Sequence, residues 1–196
     1  MIRPNRINAM RMGQMNVRGL GLGKYEDMCK ELEEQYMDVV AVTETHLRGN
    51  GCLRSGKYKL VYKGRSKQQT IGGGVGIIVQ SEAGFEIEEI NVGESEMSKD
   101  ILAVKIEYAT TMNERMQMVM IVCYMTVEGV LSEHENREKY ACIKKVLDEY
   151  SHEMIVVMGD INGHVGIVIL GEPVNKNGEL LNEFVFENEL ENLNVT

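Results

Sequence analysis

The sequence predicts an α/β protein built as one domain, and three observations point to this class. Short apolar runs at 39–42 and 154–158 are rich in β-branched residues, which is typical of buried strands. Apolar residues recur at helical spacing within 24–36 and 133–150, which is typical of amphipathic helices. The 196 residues, of which 43% are hydrophobic and 26% charged, suit a single globular domain.

The first half of the chain is expected to hold four strands and one helix. The helix over 24–36 places Met28, Leu32 and Tyr36 on one face. The glycines on either side of Asn50 mark 47–57 as a loop. We expect a loose leader over 1–9, the domain over 10–196, and strands over 10–16, 38–43, 58–63 and 75–79.

The second half is expected to hold a strand cluster followed by two helices with a strand between them. Ser132 and Glu135 have the spacing of a capping box at the start of the long helix. Its apolar stripe is Tyr140, Ile143, Val146, Leu147 and Tyr150. The last helix buries Leu180, Leu181, Phe184 and Val185. Strands are expected over 85–92, 101–107, 116–124 and 154–158, a turn over 112–115, helices over 133–150 and 179–191, and the start of a strand at 193–196. Interleaved strands and helices are also compatible with a doubly wound sheet, so that arrangement stays an alternative.

The tetrad Gly159-Asp160-Ile161-Asn162 directly follows the apolar run at 154–158. A carboxylate and a carboxamide at the carboxyl end of a strand lie where open α/β proteins place their chemistry. Gly, Asp and Asn are also common turn residues, so a plain turn is the alternative. Two further segments favour a site: Asn16-Val17-Arg18-Gly19-Leu20, and Thr43-Glu44-Thr45-His46 after the apolar run at 39–42.

Four motifs in this order resemble the endonuclease/exonuclease/phosphatase superfamily. They are the segments 16–20, 43–46, Val122-Cys123-Tyr124 and 159–164, and the resemblance runs from about Met10 to Thr196. The sequences of these motifs are most similar to those in the endonuclease domains of non-LTR retrotransposons, a branch that includes craniofacial development protein 2. The resemblance implies a four-layer sandwich, in which two mainly antiparallel β-sheets pack face to face and are flanked by helices.

The resemblance also implies a metal-dependent endonuclease that nicks DNA. Glu44 and Asn16 would hold Mg²⁺, with Mn²⁺ as the alternative, and the cation would screen the phosphodiester charge. Asp160 would orient or deprotonate the attacking water, or protonate the leaving oxygen. Asn162 would bond the phosphate as it becomes pentavalent, and Tyr124 would approach a phosphate oxygen. Without the resemblance, Glu44 reads as a solvated loop carboxylate and Tyr124 as a core aromatic.

Two other functions stay open at this point. The first is a catalytically inactive, domesticated remnant that acts as a binding module. The second keeps the fold but hydrolyses a lipid or inositol phosphate, which the formal net charge of −9 permits. Although the net charge is negative, the segment between Glu44 and Glu82 contains seven basic residues and no acidic one. These residues form either a solvated face or a patch that binds the phosphates of a nucleic acid.

Other conspicuous residues have simpler interpretations. The glycines at 72–74 lack the Gly-Lys-Ser/Thr ending of a phosphate loop, so close backbone packing or a bulge is expected there. His46 and His164 are expected to be neighbours of the site, and His134 and His152 surface residues. The four scattered cysteines favour free thiols in a reducing compartment. We expect an intracellular protein, nuclear or cytoplasmic and not secreted, with no membrane span; the oligomeric state stays open.

The chain departs from the family pattern in three ways. It has no counterpart of the Ser-Asp-His motif, whose histidine is the acid/base partner in the family. The domain at 10–196 is therefore expected to be incomplete at its carboxyl end, with the last strands of the fold missing. An exposed sheet edge and a rate lower by about 10²–10⁴ are therefore expected. Thr126 stands where many relatives have proline, and Ile161 where phenylalanine is common. Both substitutions are expected to be tolerated by packing.

Overall fold

Two β-sheets pack face to face, and α-helices cover the outer face of each. The computed structural model describes residues 10–66, 73–81, 84–109, 115–165 and 173–193, to which the elements named here belong. The strands are β1 (Met12–Asn16), β2 (Val39–Thr43), β3 (Asn50–Ser55), β4 (Tyr58–Lys63), β5 (Val75–Gln80), β6 (Glu86–Ile90), β7 (Ile101–Ala109), β8 (Arg115–Tyr124) and β9 (Met154–Asp160). The helices are α1 (Leu22–Glu34), α2 (Ser132–Glu149) and α3 (Lys176–Glu187), with a short 3-10 helix at Glu96–Asp100.

The first sheet has the strand order β1-β2-β5-β4-β3. Its strands β1 and β2 run parallel, with Asn16 opposite Thr43, and its other neighbours are antiparallel. Every residue of β2 is buried, because this strand has a neighbour on each side and a layer above and below it. This explains why β2 has a continuous apolar run instead of an alternating pattern.

The second sheet has the strand order β6-β7-β8-β9. Its first three strands form an antiparallel meander. β9 then joins β8 in parallel, with Tyr124 opposite Asp160. A parallel neighbour needs a crossover connection, and α2 supplies it.

The core has three layers of side chains, which together confirm the four-layer sandwich. Val39, Ala41 and Ile77 of the first sheet meet Leu102, Val104 and Met120 of the second in the middle layer. Helix α1 packs on the outer face of the first sheet. Helices α2 and α3 cover the outer face of the second sheet. A doubly wound sheet is therefore wrong, because each sheet carries helices on one face and another sheet on the other.

Four strands deliver their carboxyl ends to one rim of the sandwich. In each sheet a parallel pair ends together, β1 with β2 and β8 with β9. Asn16, Thr43, Tyr124 and Asp160 are the last residues of these four strands. Residues that follow these four strands in the sequence consequently gather at this rim, which we call the site rim.

One expected loop is a strand. Residues 47–57 include β3, which pairs antiparallel with β4 through a tight connection at Gly56-Lys57. The side chains of β3 alternate between exposed and half-buried, as on an edge strand. Its glycine and polar residues have low strand propensity, so the pairing partner and not the local sequence determines its conformation.

The helix boundaries differ from the predicted ones at three places. The capping box is wrong, because Ser132 lies inside α2 and its hydroxyl donates to the Gly129 carbonyl oxygen. Tyr36 is not on the buried face of α1, since it follows the helix with a φ of 56° and is 38% exposed. Helix α3 begins at Lys176, earlier than expected, because the Asn175 side chain accepts from the Gly178 amide and caps the helix.

The strand β9 lies at the end of its sheet within the described residues, in agreement with the expected exposed edge. Its apolar residues from Ile155 to Met158 are only half-buried, and Met154 is 49% exposed. No helix in the described ranges is long and apolar enough to cross a membrane. The expected leader at 1–9, most of the turn at 112–115, and residues 194–196 lie outside the described residues.

Candidate active site

The structure brings all five predicted site residues together at the site rim. The Asn16 side-chain nitrogen donates to Glu44 Oε1 at 2.7 Å and to Asp160 Oδ2 at 3.0 Å. The Tyr124 hydroxyl donates to the same Glu44 Oε1 at 3.2 Å. One amide thus joins two carboxylates that are far apart in the sequence and belong to different sheets. The roles of these residues stay predictions, whereas their proximity is a feature of the fold.

Left-handed backbone conformations orient the side chains at the site rim. Six non-glycine residues have positive φ in the described ranges, and four of them lie at the site rim: Arg18, Glu44, His46 and Asn162. Glu44, with a φ of 52°, comes directly after β2 and turns its carboxylate toward Asn16. Such conformations cost free energy for residues with a Cβ atom and cluster at functional sites.

The glycine of the tetrad allows β9 to approach β8. Gly159 lies opposite Cys123 and has a φ of 139°. A Cβ atom on Gly159 would lie 1.9 Å from the Cys123 carbonyl oxygen, so no other residue fits without a backbone shift. Because Asp160 is the next residue, this contact sets how far its carboxylate reaches beyond the sheet.

Tyr124 is a neutral hydrogen-bond donor in this environment. Burial raises the pKa of its phenol, and the negative charge of Glu44 and the hydrogen bond to it raise the pKa further. The hydroxyl therefore keeps its proton at neutral pH. It is suited to donate to an anionic oxygen, either of Glu44 or of a phosphate.

Asn162 is held by the loop that follows β9. Its backbone amide donates to Asp160 Oδ1 at 3.1 Å, which fixes the orientation of that carboxylate. Its side-chain nitrogen donates to the Met125 carbonyl oxygen at 2.8 Å. That bond uses one of the two amide hydrogens, and the side chain also forms a hydrogen bond with the Tyr124 side chain.

The oxygen atoms at the site rim are of the kind that a small divalent cation binds. Carboxylate and carboxamide oxygens are the protein ligands that Mg²⁺ takes, usually one or two carboxylates with water and phosphate as the rest. The Asn16 nitrogen lies between the two carboxylates, at the place where positive charge is favoured. Among the described residues, no group of three or more His, Cys, Asp or Glu side chains could hold a metal ion. Any cation bound here would accordingly need ligands beyond these side chains.

The histidines have the predicted surroundings. His46 Nε2 lies 4.0 Å from Glu44 Oε2, so His46 is a neighbour of the site. His164 is exposed, and its backbone amide donates to the Asn175 side chain. His134 is an exposed residue of α2 near Glu138, and His152 is exposed in the loop before β9.

The basic window between Glu44 and Glu82 does not form one patch. Arg48, Lys63 and Arg65 lie at the site rim, since Lys63 ends β4 opposite Val75. Arg54 and Lys59 are paired with each other nearer the other end of the hairpin, about 13 Å along the strands. Lys57 follows at that end and bonds Glu33 of α1. Lys67 lies outside the described residues.

A buried amide network that was not predicted from the sequence lies behind the site. Asn136 and Asn177 are each 1% exposed and bond each other at 2.9 Å. Both donate to the Thr126 carbonyl oxygen, and Asn177 also donates to that of Asn162. The Thr126 amide donates to Asn136 Oδ1, a bond that the proline of many relatives could not make. Asn136 stands one helical turn before the stripe residue Tyr140, and a polar residue at stripe spacing is the signal that could have revealed it.

A second missed cluster lies on the same helix. Lys139 is 1% exposed and bonds Asp100 of the 3-10 helix, which also bonds Arg65. Gly73 and Gly74 pack against this cluster, as the expectation of close backbone packing for the triple glycine required. Gly72 lies outside the described residues. Lys139, like Asn136, is a polar residue on the apolar stripe of α2.

A family model matches most of the sequence. Residues 17–190 match the model described as PHP domain, a range that contains Glu44, Tyr124, Asp160 and Asn162. No sequence among the curated proteins matches the chain significantly.

Solved structures with this fold include three informative neighbours. The catalytic domain of Xenopus laevis APE2 has 12% identity and a TM-score of 0.63, covering 89% of this chain and 67% of that one. The 3′ phosphatase NExo from Neisseria, bound to product DNA hairpin, has 15% identity and a TM-score of 0.52, covering 92% and 71%. An endonuclease/exonuclease/phosphatase family protein from Bacteroides thetaiotaomicron has 10% identity and a TM-score of 0.50, covering 79% and 62%.

These neighbours are longer than this chain, which spans about two thirds of their length. The family match rests on sequence, and the structural likeness concerns the fold. The chain therefore belongs to the PHP domain family and has the fold of endonuclease/exonuclease/phosphatase proteins.

Proposed function

We propose that this chain is a metal-dependent phosphodiesterase that nicks DNA, of the retrotransposon endonuclease type. The observation that carries the proposal is the Asn16 side chain, which bonds both Glu44 and Asp160 at the end of two parallel strand pairs. This arrangement concentrates negative charge and oxygen ligands at an exposed rim, where a long polymer can reach them. Fold likeness to nucleases and phosphatases supports the same class of reaction.

Glu44 and Asn16 would hold Mg²⁺, and Mn²⁺ would fit the same oxygen ligands. When bound, the cation neutralises phosphate charge and stabilises the charge that develops on oxygen. Glu44 is suited to this role because its side chain is only 23% exposed and is held by two neutral donors, Asn16 and Tyr124. Neither donor competes as a permanent cation.

The other residues would act on water and phosphate. Asp160 would orient or deprotonate the water whose oxygen bonds to phosphorus as the bond to the leaving oxygen breaks. Its Oδ1 is held by the Asn162 amide, so the carboxylate has a fixed direction. Tyr124, neutral at pH 7, and Asn162 would donate hydrogen bonds to non-bridging phosphate oxygens. The alternative in which Asp160 protonates the leaving oxygen uses the same geometry.

DNA is the proposed partner, in an intracellular compartment, nuclear or cytoplasmic. Arg18, Arg48 and Lys63 at the site rim can approach the phosphates on either side of the cleaved bond. The carboxylates of Glu44 and Asp160 would repel DNA in the absence of a cation. Binding is therefore expected to depend on both the divalent metal and the rim cations.

A nicking assay tests the proposal. Supercoiled plasmid is incubated with the purified chain in Mg²⁺ or Mn²⁺, and the conversion to the open circular form is measured. Glu44→Gln keeps the size of the side chain and removes its charge, so we expect cleavage to fall by at least about 10²-fold. Cleavage should also stop when the metal is chelated.

Glu34→Gln is the matched control. Glu34 is an exposed carboxylate at the end of α1, next to the loop that enters β2 and so at the opposite rim. The Glu34→Gln substitution should leave the rate of plasmid nicking unchanged. Hydrolysis of inositol phosphates or lipid headgroups without cleavage of DNA would contradict the proposed substrate. DNA binding with no metal-dependent cleavage of any phosphodiester would contradict the proposed reaction and favour a binding module.

A further inference from the structure

A buried lysine lies behind Tyr124. Lys139 on α2 has a side chain that is 1% exposed, yet it carries three hydrogen-bond donors. All three find acceptors: Asp100 Oδ2 at 3.0 Å, the Tyr124 carbonyl oxygen at 2.9 Å and Thr126 Oγ1 at 3.1 Å. Lys139 therefore holds the backbone of Tyr124 and the side chain of Thr126 by hydrogen bonds.

Asp100 extends this contact to the first sheet. Its Oδ2 also accepts from the Arg65 guanidinium at 2.9 Å, and its Oδ1 accepts from the Gly74 amide at 3.4 Å. The carbonyl oxygens of Gly73 and Gly74 in turn accept from the amides of His46 and Thr45. Thr45 is the residue after Glu44, so a continuous chain of bonds runs from the backbone of Tyr124 to the backbone beside Glu44.

The segment Gly73-Gly74 packs closely against Asp100 and Thr45. A Cβ atom on Gly73 would lie 2.7 Å from Asp100 Oδ1, and one on Gly74 would lie 2.6 Å from Thr45 Oγ1. Both residues have positive φ. A displacement of Asp100 would therefore act on the Gly74 amide and, through the Gly74 carbonyl oxygen, on the Thr45 amide next to Glu44.

We propose that Lys139 and Asp100 are positioning residues that set the separation of Glu44 and Tyr124 across the two sheets. This inference rests on the proposed function, because it concerns the geometry of the same site. Neither residue touches the space in which a substrate would bind, since both are buried behind it. They act through the backbone of Tyr124 on one side and through Gly74 and Thr45 on the other.

Stability alone is a poor explanation for these charges. Removing two charges from water has a desolvation penalty, and apolar replacements of buried ion pairs are often as stable as the pair. An apolar pair at these positions could pack the core but could not bond the Tyr124 carbonyl oxygen or the Gly74 amide. Stability and positioning can therefore be separated by substitution.

The experiment compares Lys139→Met with the double variant Asp100→Leu/Lys139→Met. The single variant leaves Asp100 with one cation fewer, so we expect a lower melting temperature. The double variant removes both charges and should recover most of that loss. In both, we expect backbone amides of Thr45 and His46 to exchange at least about tenfold faster, and kcat to fall about 10- to 100-fold with KM within about twofold.

Lys144→Met is the matched control on the same helix. Lys144 forms an exposed ion pair with Asp148, with side chains 53% and 64% exposed. It should change neither amide exchange nor kcat. If the double variant does not fold, Lys139→Met replaces it, because Arg65 still pairs with Asp100 in that variant. Its exchange at Thr45 and His46 is then compared with the exchange of amides in the other strands and helices.

Two outcomes are decisive. A double variant, or Lys139→Met in its place, with wild-type exchange at Thr45 and His46 would overturn the positioning role. Faster exchange together with a recovered melting temperature would support it. Because amide exchange needs no substrate, this result stands even if the wild-type chain cleaves no phosphodiester, in which case the proposed function fails and the positioning inference is judged separately.

Discussion

A single carboxamide joins the two halves of the candidate site. Asn16 lies at the end of β1, and its side chain bonds the carboxylates that follow β2 and end β9. A carboxylate at position 16 would place three negative charges within hydrogen-bonding distance. The neutral amide instead brings the carboxylates together, because its nitrogen donates to both and its oxygen accepts from the Arg18 amide. The choice of residue type at this one position therefore follows from the charges around it.

The buried carboxylate of Asp100 should make stability depend on pH. Burial alone raises its pKa, but the hydrogen bond from Arg65 and the charges of Lys139 and Arg65 outweigh burial, and the net pKa is lowered from 3.8. Its stabilising contribution is thus fully present above about pH 4 and is lost as the pH falls through the lower, folded-state pKa. Asp100→Asn should be less stable by about 3–5 kcal/mol at pH 7, where breaking a buried pair costs most.

Urea denaturation at pH 7, 5, 4 and 3 measures this effect. The difference in unfolding free energy between the wild type and Asp100→Asn should shrink below pH 4. Asp148→Asn, which removes the exposed partner of Lys144, is the control and should show a small difference at every pH. A gap for Asp100→Asn that stayed constant down to pH 3 would mean that the carboxylate is not held ionised by its partners.

At the scale of elements, the sequence predicted what local patterns determine. β2 and β9 have uninterrupted apolar runs, and α2 has a stripe at helical spacing, so each was found. β3 was missed because it is an exposed edge strand with polar residues, and its pairing with β4 is what makes it a strand. The two-sheet arrangement came from family resemblance, since pairing between distant strands leaves no local signal.

The same distinction holds for the site. Glu44 and Asp160 follow apolar strands, so their place at a strand end could be predicted from the sequence. Arg65, Asp100 and Lys139 belong to three separate elements, and their meeting depends on packing that no short motif contains. Of these three residues, only Lys139 could be noticed in the sequence, because it is a charged residue on the apolar stripe of α2.

Two glycines give opposite predictions for the same substitution. Gly74 has a φ of 83°, and a Cβ atom there would contact Thr45 Oγ1 at 2.6 Å. Gly74→Ala should therefore destabilise the protein by about 1–3 kcal/mol and slow any phosphodiester cleavage. Gly23 lies in the first turn of α1 with no atom within 4 Å of an added Cβ. Gly23→Ala should stabilise the protein by about 0.4–1 kcal/mol.

Chemical denaturation of the two alanine variants beside the wild type gives the free energies. Gly23→Ala also serves as the control for cleavage, because it lies on the helix and not in the segment that contacts Thr45. Equal stability of Gly74→Ala and the wild type would show that the loop can relax. The tight path from Asp100 to Glu44 would then not exist in solution.

At the scale of the whole molecule, the fold determines where the charged residues lie, which the net charge does not show. The net charge of −9 disfavours binding to a polyanion, and the basic window at first suggests a compensating patch. Strand pairing instead divides that window between the two ends of the β3–β4 hairpin. Lys63 lies at the site rim together with Arg18, whereas Arg54 and Lys59 lie toward the other end.

This division predicts which cations contribute to DNA binding. Arg18→Ala and Lys63→Ala should each weaken binding and lower the slope of log affinity against log salt by about 1, because each would remove one phosphate contact. Arg54→Ala and Lys59→Ala make the same change in net charge at the other end and should leave the slope unchanged. Fluorescence anisotropy with a labelled duplex, at several salt concentrations and in Ca²⁺ to suppress cleavage, measures all four variants. Equal losses for both pairs would mean that DNA responds to overall charge and not to the rim that carries Glu44 and Asp160.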